Sequence, residues 1–349
     1  MRGAVVQKPA KTGRWYVVID LGRDGSGKRK RQWHSGYRSK REAERGLTQL
    51  MSAKDTGTYV PPQRMRVGEY LLERWLPAIE QTIRPTTYSG YTRHIQRYVV
   101  PRIGALLLQD LTPDRLSVLY RDLVAGGGVN GRPLAPNTLR RIHASLHRAF
   151  RDAVSWGYML RNPAAVASKP KAPSPGSAKM RIWTAAELRR FLEHVAEDRL
   201  FGAWRLAAST GMRRSEILGL RWIDVDFDAS QLAVRQTYTN AGAATMFGEP
   251  KTSRSKRTVA LDVETARAMR SWRTKQLEER LLWADAWEDC GLVFTRENGA
   301  AIHPDAFSAR WGKVRDASGL PPIRFHDLAP GHCVGLASWV TTAKELLDG

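Results

Sequence analysis

Thr210-Gly211-Met212-Arg213-Arg214-Ser215-Glu216-Ile217-Leu218-Gly219-Leu220-Arg221-Trp222 is the most informative stretch of the chain. Gly211 permits a tight turn, and Ser215 is expected to cap a short helix whose Ile217, Leu218 and Leu220 face a core. Arg213 is thereby fixed at the start of that helix. A fixed guanidinium binds two phosphate oxygens at once and stabilises charge that grows during phosphoryl transfer. The plain alternative is a structural ion pair between Arg213 and Glu216.

Outward from this stretch, residues 184–195 and 202–209 read as helices on its N-terminal side. Downstream, Gly248 to Leu261 fits a hairpin with a polar tip and a β-branched second strand, and Lys251 stands at its start. Taken alone, Lys251 is one more phosphate-facing cation among Arg254, Lys256 and Arg257. A short apolar run, Gly291-Leu292-Val293-Phe294, is followed by an expected helix from Pro304 to Val314 and then by Ile323-Arg324-Phe325-His326-Asp327-Leu328.

The pattern Thr-Gly-Met-Arg-x-Ser-Glu-Ile-x-Gly-Leu-Arg-Trp resembles the first arginine motif of the tyrosine recombinases, the family of the phage integrases. The resemblance implies that Arg213 is the first catalytic arginine and that Glu216 helps organise the site. It also implies that Lys251, opening a Lys-Thr-x-x-Ser-x-Arg pattern, protonates the leaving 5′ oxygen, and that His326 assists proton transfer. The implied chemistry is cleavage and rejoining of double-stranded DNA at attachment sites, by a homo-oligomer on that DNA, with no metal and no cofactor. Energy would be held in a phosphotyrosyl ester.

The chain departs from the family pattern in two places. The family's His-x-Leu-Arg-His reads here His326-Asp327-Leu328-Ala329, and no arginine follows Arg324. The last tyrosine is Tyr238, ahead of Lys251, whereas the family's nucleophile follows its histidine motifs. The expectation is a recombinase-family protein that binds DNA and does not cut it, because nothing supplies the attacking oxygen. A frameshift or premature stop soon after Leu328 is the simplest account, since one lesion explains several losses; residues 341–347 still read as a helix.

Composition agrees with a DNA partner. The formal charge of the 349 residues is +22, and charge of this sign attracts polyanions through a salt-dependent field. Ribosomal, membrane-surface and chaperone roles tolerate such charge equally well, so composition alone names no reaction. Residues 1–65 carry net +10, residues 66–175 net +9 and the remainder net +3, which puts the polyanion-binding surface in the first two segments. No apolar run is long enough to span a membrane, and Met1 to Lys11 hold no signal-like apolar core, so a cytoplasmic protein is expected. Cys290 and Cys333 lack metal-site spacing and read as ordinary buried thiols.

In the first segment, Trp15 to Leu21 and Arg31 to His34 read as strands around a glycine-rich turn, and Ser39 to Ser52 as a helix. Gly22 to Arg29 nearly matches a phosphate-binding loop, but Arg29 stands where Ser or Thr belongs and the flanks favour a hairpin. Lys28, Arg29, Lys30 and Arg31, beside Trp33, are candidate phosphate contacts; the plain alternative is a solvated turn. The second segment shows helical periodicity over 67–79, 87–99, 113–124 and 136–156, interrupted at Pro85, Pro101 and Gly126-Gly127-Gly128. Its last helix sets Arg140, Arg141, Arg148 and Arg151 beside an apolar face, which suits a helix lying along a DNA backbone or an ordinary surface helix.

The fold expected is multidomain and mainly α with small β elements. It comprises a sheet-plus-helix arm-type domain (1–65), a helical core-binding domain of SAM-like type (66–167), a proline-rich linker (168–179) and an incomplete α+β tyrosine-recombinase catalytic domain (180–349). The rival to a recombinase is a non-enzymatic regulator or competitor that occupies recombination sites. A metal-dependent nuclease is a third reading, but Asp224, Asp226 and Asp228 alternate along a strand or turn and do not form a two-metal cluster.

Overall fold

The computed structural model describes residues 3–8, 14–23, 25, 27, 29–55, 63–128, 131–168, 181–242, 244–249 and 256–328. They fall into two compact units, residues 1–174 and 175–349, each described by itself. The linker expected over 168–179 lies, apart from Ser168, outside the described residues.

Near the N-terminus, β1 (Gly3–Lys8), β2 (Arg14–Arg23) and β3 (Arg29–Tyr37) form an antiparallel sheet in sequence order, followed by α1 (Lys40–Asp55). The period-two alternation of β2 turns Trp15, Val17 and Ile19 onto a small core with Ala43, Leu47 and Leu50 of α1. Tyr16 is on the opposite face, at right angles to Trp33 at 6.0 Å. Strands β2 and β3 are joined as an antiparallel hairpin, so the phosphate-loop reading of 22–29, which needs a following helix, is discarded. Strand β1 escaped the sequence reading because its six residues carry no strong periodicity of their own; pairing with β2 makes it a strand.

The helical part of this unit has a separate core. Helix α2 spans residues 67–79, with a π-helical Tyr70–Trp75 between α-helical Val67–Glu69 and Leu76–Ile79. Helix α3 spans residues 85–103 and contains a second π turn, Ile95–Val99. Pro101, expected to interrupt the helix, sits in the first turn of its last segment, Val100–Ile103, where the π turn has already reset the hydrogen-bond ladder. Pro85 likewise occupies the first helical turn, where its missing N–H costs nothing. Helices α4 (Pro113–Gly126) and α5 (Pro136–Ser155) complete the bundle, with the short α6 (Pro163–Val166) after them. Two buried polar tips are satisfied: Tyr70 donates to the Ala149 carbonyl at 2.8 Å and Trp75 Nε1 to Asp152 Oδ2 at 2.9 Å.

In the second unit, α7 (Ala185–His194) starts at Thr184, whose hydroxyl accepts from Glu187 N–H while the Glu187 carboxylate accepts from Thr184 N–H. Then come α8 (Phe201–Thr210), α9 (Arg214–Leu218), β4 (Val225–Asp226), β5 (Gln231–Val234), β6 (Thr237–Ala241), β7 (Ala244–Gly248), β8 (Arg257–Ala260), α10 (Val263–Trp283) and α11 (Pro304–Ala317). Of the hairpin expected over 248–261, residues 250–255 lie outside the described residues; among the described residues β7 pairs with β6 and β8 pairs with β5, so the two described flanks of that stretch belong to different sheets. The apolar face of β5, with Leu232 and Val234 buried, is what recruits β8.

Trp183, Phe191, Trp204, Phe307, Trp311 and Phe325 pack together in the core of this unit. One further expectation, that Cys290 is buried, is corrected. Cys290 is exposed, with its Sγ 3.1 Å from the Gly299 carbonyl, because it lies in an irregular stretch beside the Gly291 turn; Cys333 lies outside the described residues. Asp224 is buried in ion pairs with Arg221 and Arg235, and Asp226 accepts from the N–H groups of Asp228 and Ala229, so these carboxylates serve the fold. The helix expected at 341–347 lies outside the described residues.

Candidate active site and nucleic-acid interface

The turn into the candidate site is made at Gly211, which ends α8 in the left-handed region with φ of 66°. A Cβ there costs about 1–2 kcal/mol. Gly211→Ala is therefore expected to lower stability by that amount, checked by denaturant unfolding. Arg213 then precedes α9 in extended conformation. Ser215 lies inside α9 and is not its cap. The capping group is Glu216, whose Oε2 accepts from Arg213 N–H at 3.0 Å. On the far side, a Cβ at Gly219 would lie 2.9 Å from Thr237 backbone atoms, so only glycine lets β6 come this close.

Glu216 is the electrostatic centre of the site. Its side chain is 2% exposed, and it accepts from two arginines: Arg213 Nη1 at 2.8 Å, and Arg257 through Nη2 at 3.0 Å and Nη1 at 3.3 Å. Burial by itself would raise the Glu216 carboxyl; the hydrogen bonds from Arg257 and Arg213 outweigh it and hold the group below the usual carboxylate range. Of the two sequence readings of Arg213, the ion pair with Glu216 is formed, and because the Arg213 side chain is still 61% exposed that pair leaves the phosphate reading open.

His326 joins the same site from the end of the chain's described part. It follows Phe325, which is packed against Trp204, Phe307 and Trp311, and it sits in a single 3-10 turn, Phe325–Leu328. Partial burial, then the positive field of Arg214, lowers its imidazole below the usual value; Asp327 opposes this, while Arg213 and Arg324 reinforce it. The neutral ring that results is suited to accept a proton. Arg214 is braced by the Pro304 carbonyl and Ser308 of α11, and Arg324 makes a two-point pair with Asp327 at 2.7 and 2.9 Å.

Lys251 and Arg254 lie outside the described residues. The segment that carries them is bracketed by an ion pair of Glu249 with Lys256 at 3.2 Å, and Arg257 follows at once. Arg257, grouped by sequence with the DNA-facing cations, is placed on Glu216. No group of His, Cys, Asp and Glu among the described residues could hold a metal ion.

In the first unit, Arg31 is exposed on β3, and Lys8 Nζ stands 4.4 Å above the ring of Trp33, which is itself exposed. Lys28 and the side chains of Arg29 and Lys30 are not described. On α5, Arg140, Arg141 and Arg151 are exposed. Arg148 is held against the Tyr91 ring at 6.0 Å and beside Asp152 at 3.9 Å, so it is the most committed of the four. Sequence reading missed Arg93 and Arg97, exposed on α3. Burial, followed by the fields of Arg93 and Arg141, lowers His94, which places cations of α3 and α5 around one histidine. The signal available was the run Arg93-His94-Ile95-Gln96-Arg97, without an acidic residue.

Residues 181–338 match the phage integrase family, residues 5–53 an arm DNA-binding domain, and residues 69–123 the N-terminal SAM-like domain of phage integrases. The chain is 26% identical to a XerC-like tyrosine recombinase of Caldanaerobacter subterraneus over 338 residues, covering 90% of this chain and 84% of that protein. It is 27% identical to an integrase of Streptomyces ambofaciens over 323 residues, covering 89% and 78%. Among solved structures, the Tn1549 transposon integrase in complex with a circular intermediate DNA aligns with a TM-score of 0.61 at 18% identity, over 76% of this chain and 84% of that one. A lambda integrase dimer bound to a core site aligns at 0.54 and 16% identity, over 93% and 84%.

Proposed function

We propose, from the premise that this chain belongs to the phage integrase family of tyrosine recombinases, that it grips duplex DNA at attachment sites and places one phosphate against Arg213. In this reading Arg213 clamps the phosphate, Glu216 holds Arg213 in place, His326 exchanges the proton and Lys251 stands ready for the leaving oxygen. The observation that carries it is the buried Glu216, shared by two arginines and leaving the Arg213 side chain 61% exposed at the mouth of the site. Lambda integrase, a structural neighbour, is seen as a dimer bound to a core site and as a tetramer bound to a Holliday junction, which supports DNA as the ligand and assembly on it.

The reading favours binding without cleavage for the polypeptide of these 349 residues. Tyr238, the last tyrosine in the sequence, is 8% exposed, donates its hydroxyl to Thr245 Oγ1 at 2.7 Å and stacks on Phe247 at 4.5 Å. That hydroxyl is held within the β6–β7 hairpin on a side chain with little exposed surface, which leaves it poorly accessible to a phosphate.

The test is an electrophoretic binding titration of attachment-site duplex with the wild-type chain and Arg213→Ala. Losing one phosphate contact is expected to weaken binding on all sequences and reduce the slope of log affinity against log salt by about one. The fold is retained, because Arg257 still neutralises Glu216. Equal affinity and equal slope for the two proteins remove Arg213 from the phosphate.

A further inference from the structure

Glu216 presents a problem of charge. A buried carboxylate attracts the nearest guanidinium, and Arg213 is three residues away on the same turn. Left alone, the two would form a two-point pair, the favoured geometry of arginine with carboxylate, and Arg213 would be neutralised in the process. Here Arg213 reaches Glu216 through Nη1 alone among its side-chain donors, and its backbone N–H supplies the other contact. The two-point partner is Arg257, 41 residues later in sequence, at the start of β8.

We propose that Arg257 is a positioning residue of the phosphate site: by taking both oxygens of Glu216, it keeps Arg213 from collapsing onto that carboxylate and leaves its outer donors to the DNA. This rests on the assignment of Arg213 to a phosphate. Three features support it. Arg257 is 31% exposed against 61% for Arg213, so the two guanidinium groups differ in which one faces outward. The carboxylate has about four acceptor positions, enough for both arginines and the N–H together. With Arg257 present the group of Arg213, Arg257 and Glu216 is net positive, and without it the remaining pair is neutral.

The placement has a second consequence. Arg257 follows directly on the segment that holds Lys251 and Arg254, and the Glu249–Lys256 ion pair spans that segment's ends. The Arg257–Glu216 contact therefore fixes the downstream end of the lysine segment to the turn that carries Arg213. Two catalytic candidates far apart in sequence are referred to one buried carboxylate.

The test is a cycle of Arg257→Ala, Glu216→Gln and the double variant, read two ways. The first readout is affinity for a duplex of about 30 base pairs. Arg257→Ala is expected to weaken binding roughly tenfold, equivalent to about 1.4 kcal/mol, and Glu216→Gln in that background is expected to recover most of the loss by releasing Arg213. If Arg257 instead touches phosphate itself, the two substitutions act independently and the second gives no larger gain in the variant than in the wild type. That outcome overturns the proposal.

The second readout needs no DNA. Glu216 lies below its ordinary value in the folded chain, so its pairing stabilises the protein above the unfolded-state value and that stability is lost as pH falls through the folded one. Arg257→Ala removes a stabilising partner of the carboxylate, so acid unfolding is expected to begin at higher pH; adding Glu216→Gln is expected to abolish that displacement. An unchanged acid profile in Arg257→Ala overturns the pairing. Arg257→Lys, which keeps the charge and loses the two-point geometry, is expected to fall between wild type and alanine in both readouts, and it serves where the alanine variant does not fold. A chain that shows the acid coupling but does not bind duplex contradicts the DNA assignment while leaving the pairing intact.

Discussion

Raising salt from about 50 to about 200 mM is expected to weaken the hold of this chain on duplex DNA by about a thousandfold. The magnitude follows from counting cations. Arg31, Arg93, Arg97, Arg140, Arg141 and Arg213 are exposed, and each phosphate neutralised releases condensed counterions. About six such contacts give a slope of log affinity against log salt near −5. The formal charge of +22 adds a long-range component that steers association and is screened over the same range. Fluorescence anisotropy with a labelled duplex at several salt concentrations measures the slope. A value near zero would mean that the exposed arginines face no phosphates, and the assignment of the α3 and α5 cations would fall with it.

Replacing Trp204 by alanine is expected to cost about 3–5 kcal/mol, the range for removing a large aromatic side chain from a core. Trp204 is fully buried, lies 4.8 Å from Phe307 and 5.9 Å from Trp311 by ring centres, and donates Nε1 to Asp198 Oδ1 at 3.0 Å. Its loss opens a cavity and leaves the Asp198 carboxylate one donor short, with Arg310 and the Leu200 N–H still bonded to it. The ring also contacts Phe325 at 6.2 Å, so the cavity loosens the turn that presents His326. Thermal unfolding should show a drop of roughly 6–20 °C in the transition of the unit spanning residues 175–349, given about 2–4 °C per kcal/mol at that size. A drop of only a degree or two would mean that the aromatic cluster is not what supports this end of the site.

How much of this was legible in the sequence depended on distance along the chain. The four helical stretches of the second segment were readable to within a few residues, because a 3.6-residue period is a local signal. The turn at Gly211 and the position of Arg213 at the start of α9 were readable because they too are set by neighbouring residues. The cap was misread: Ser215 has the right chemistry for an N-cap, but the N-terminal turn is closed by Glu216 reaching back to Arg213 N–H, which satisfies the same donor. Pairings between distant residues were not readable. Nothing local says that Arg257 reaches Glu216, or that β8 joins β5 instead of folding back on the preceding strand; both depend on which apolar face is left to cover. The π turn that admits Pro101, and the edge pairing that makes β1 a strand, have the same origin in tertiary context.

The most direct test of the central claim is to incubate the 349-residue chain with a nicked suicide substrate carrying attachment-site DNA. The mixture is run both under native conditions and after denaturation. A salt-sensitive shift in the native gel with no denaturant-resistant protein–DNA adduct is the predicted result, since Tyr238 is engaged with Thr245 and no tyrosine follows it. A covalent adduct would contradict it, and the residue bonded to the DNA would be the nucleophile that this account lacks.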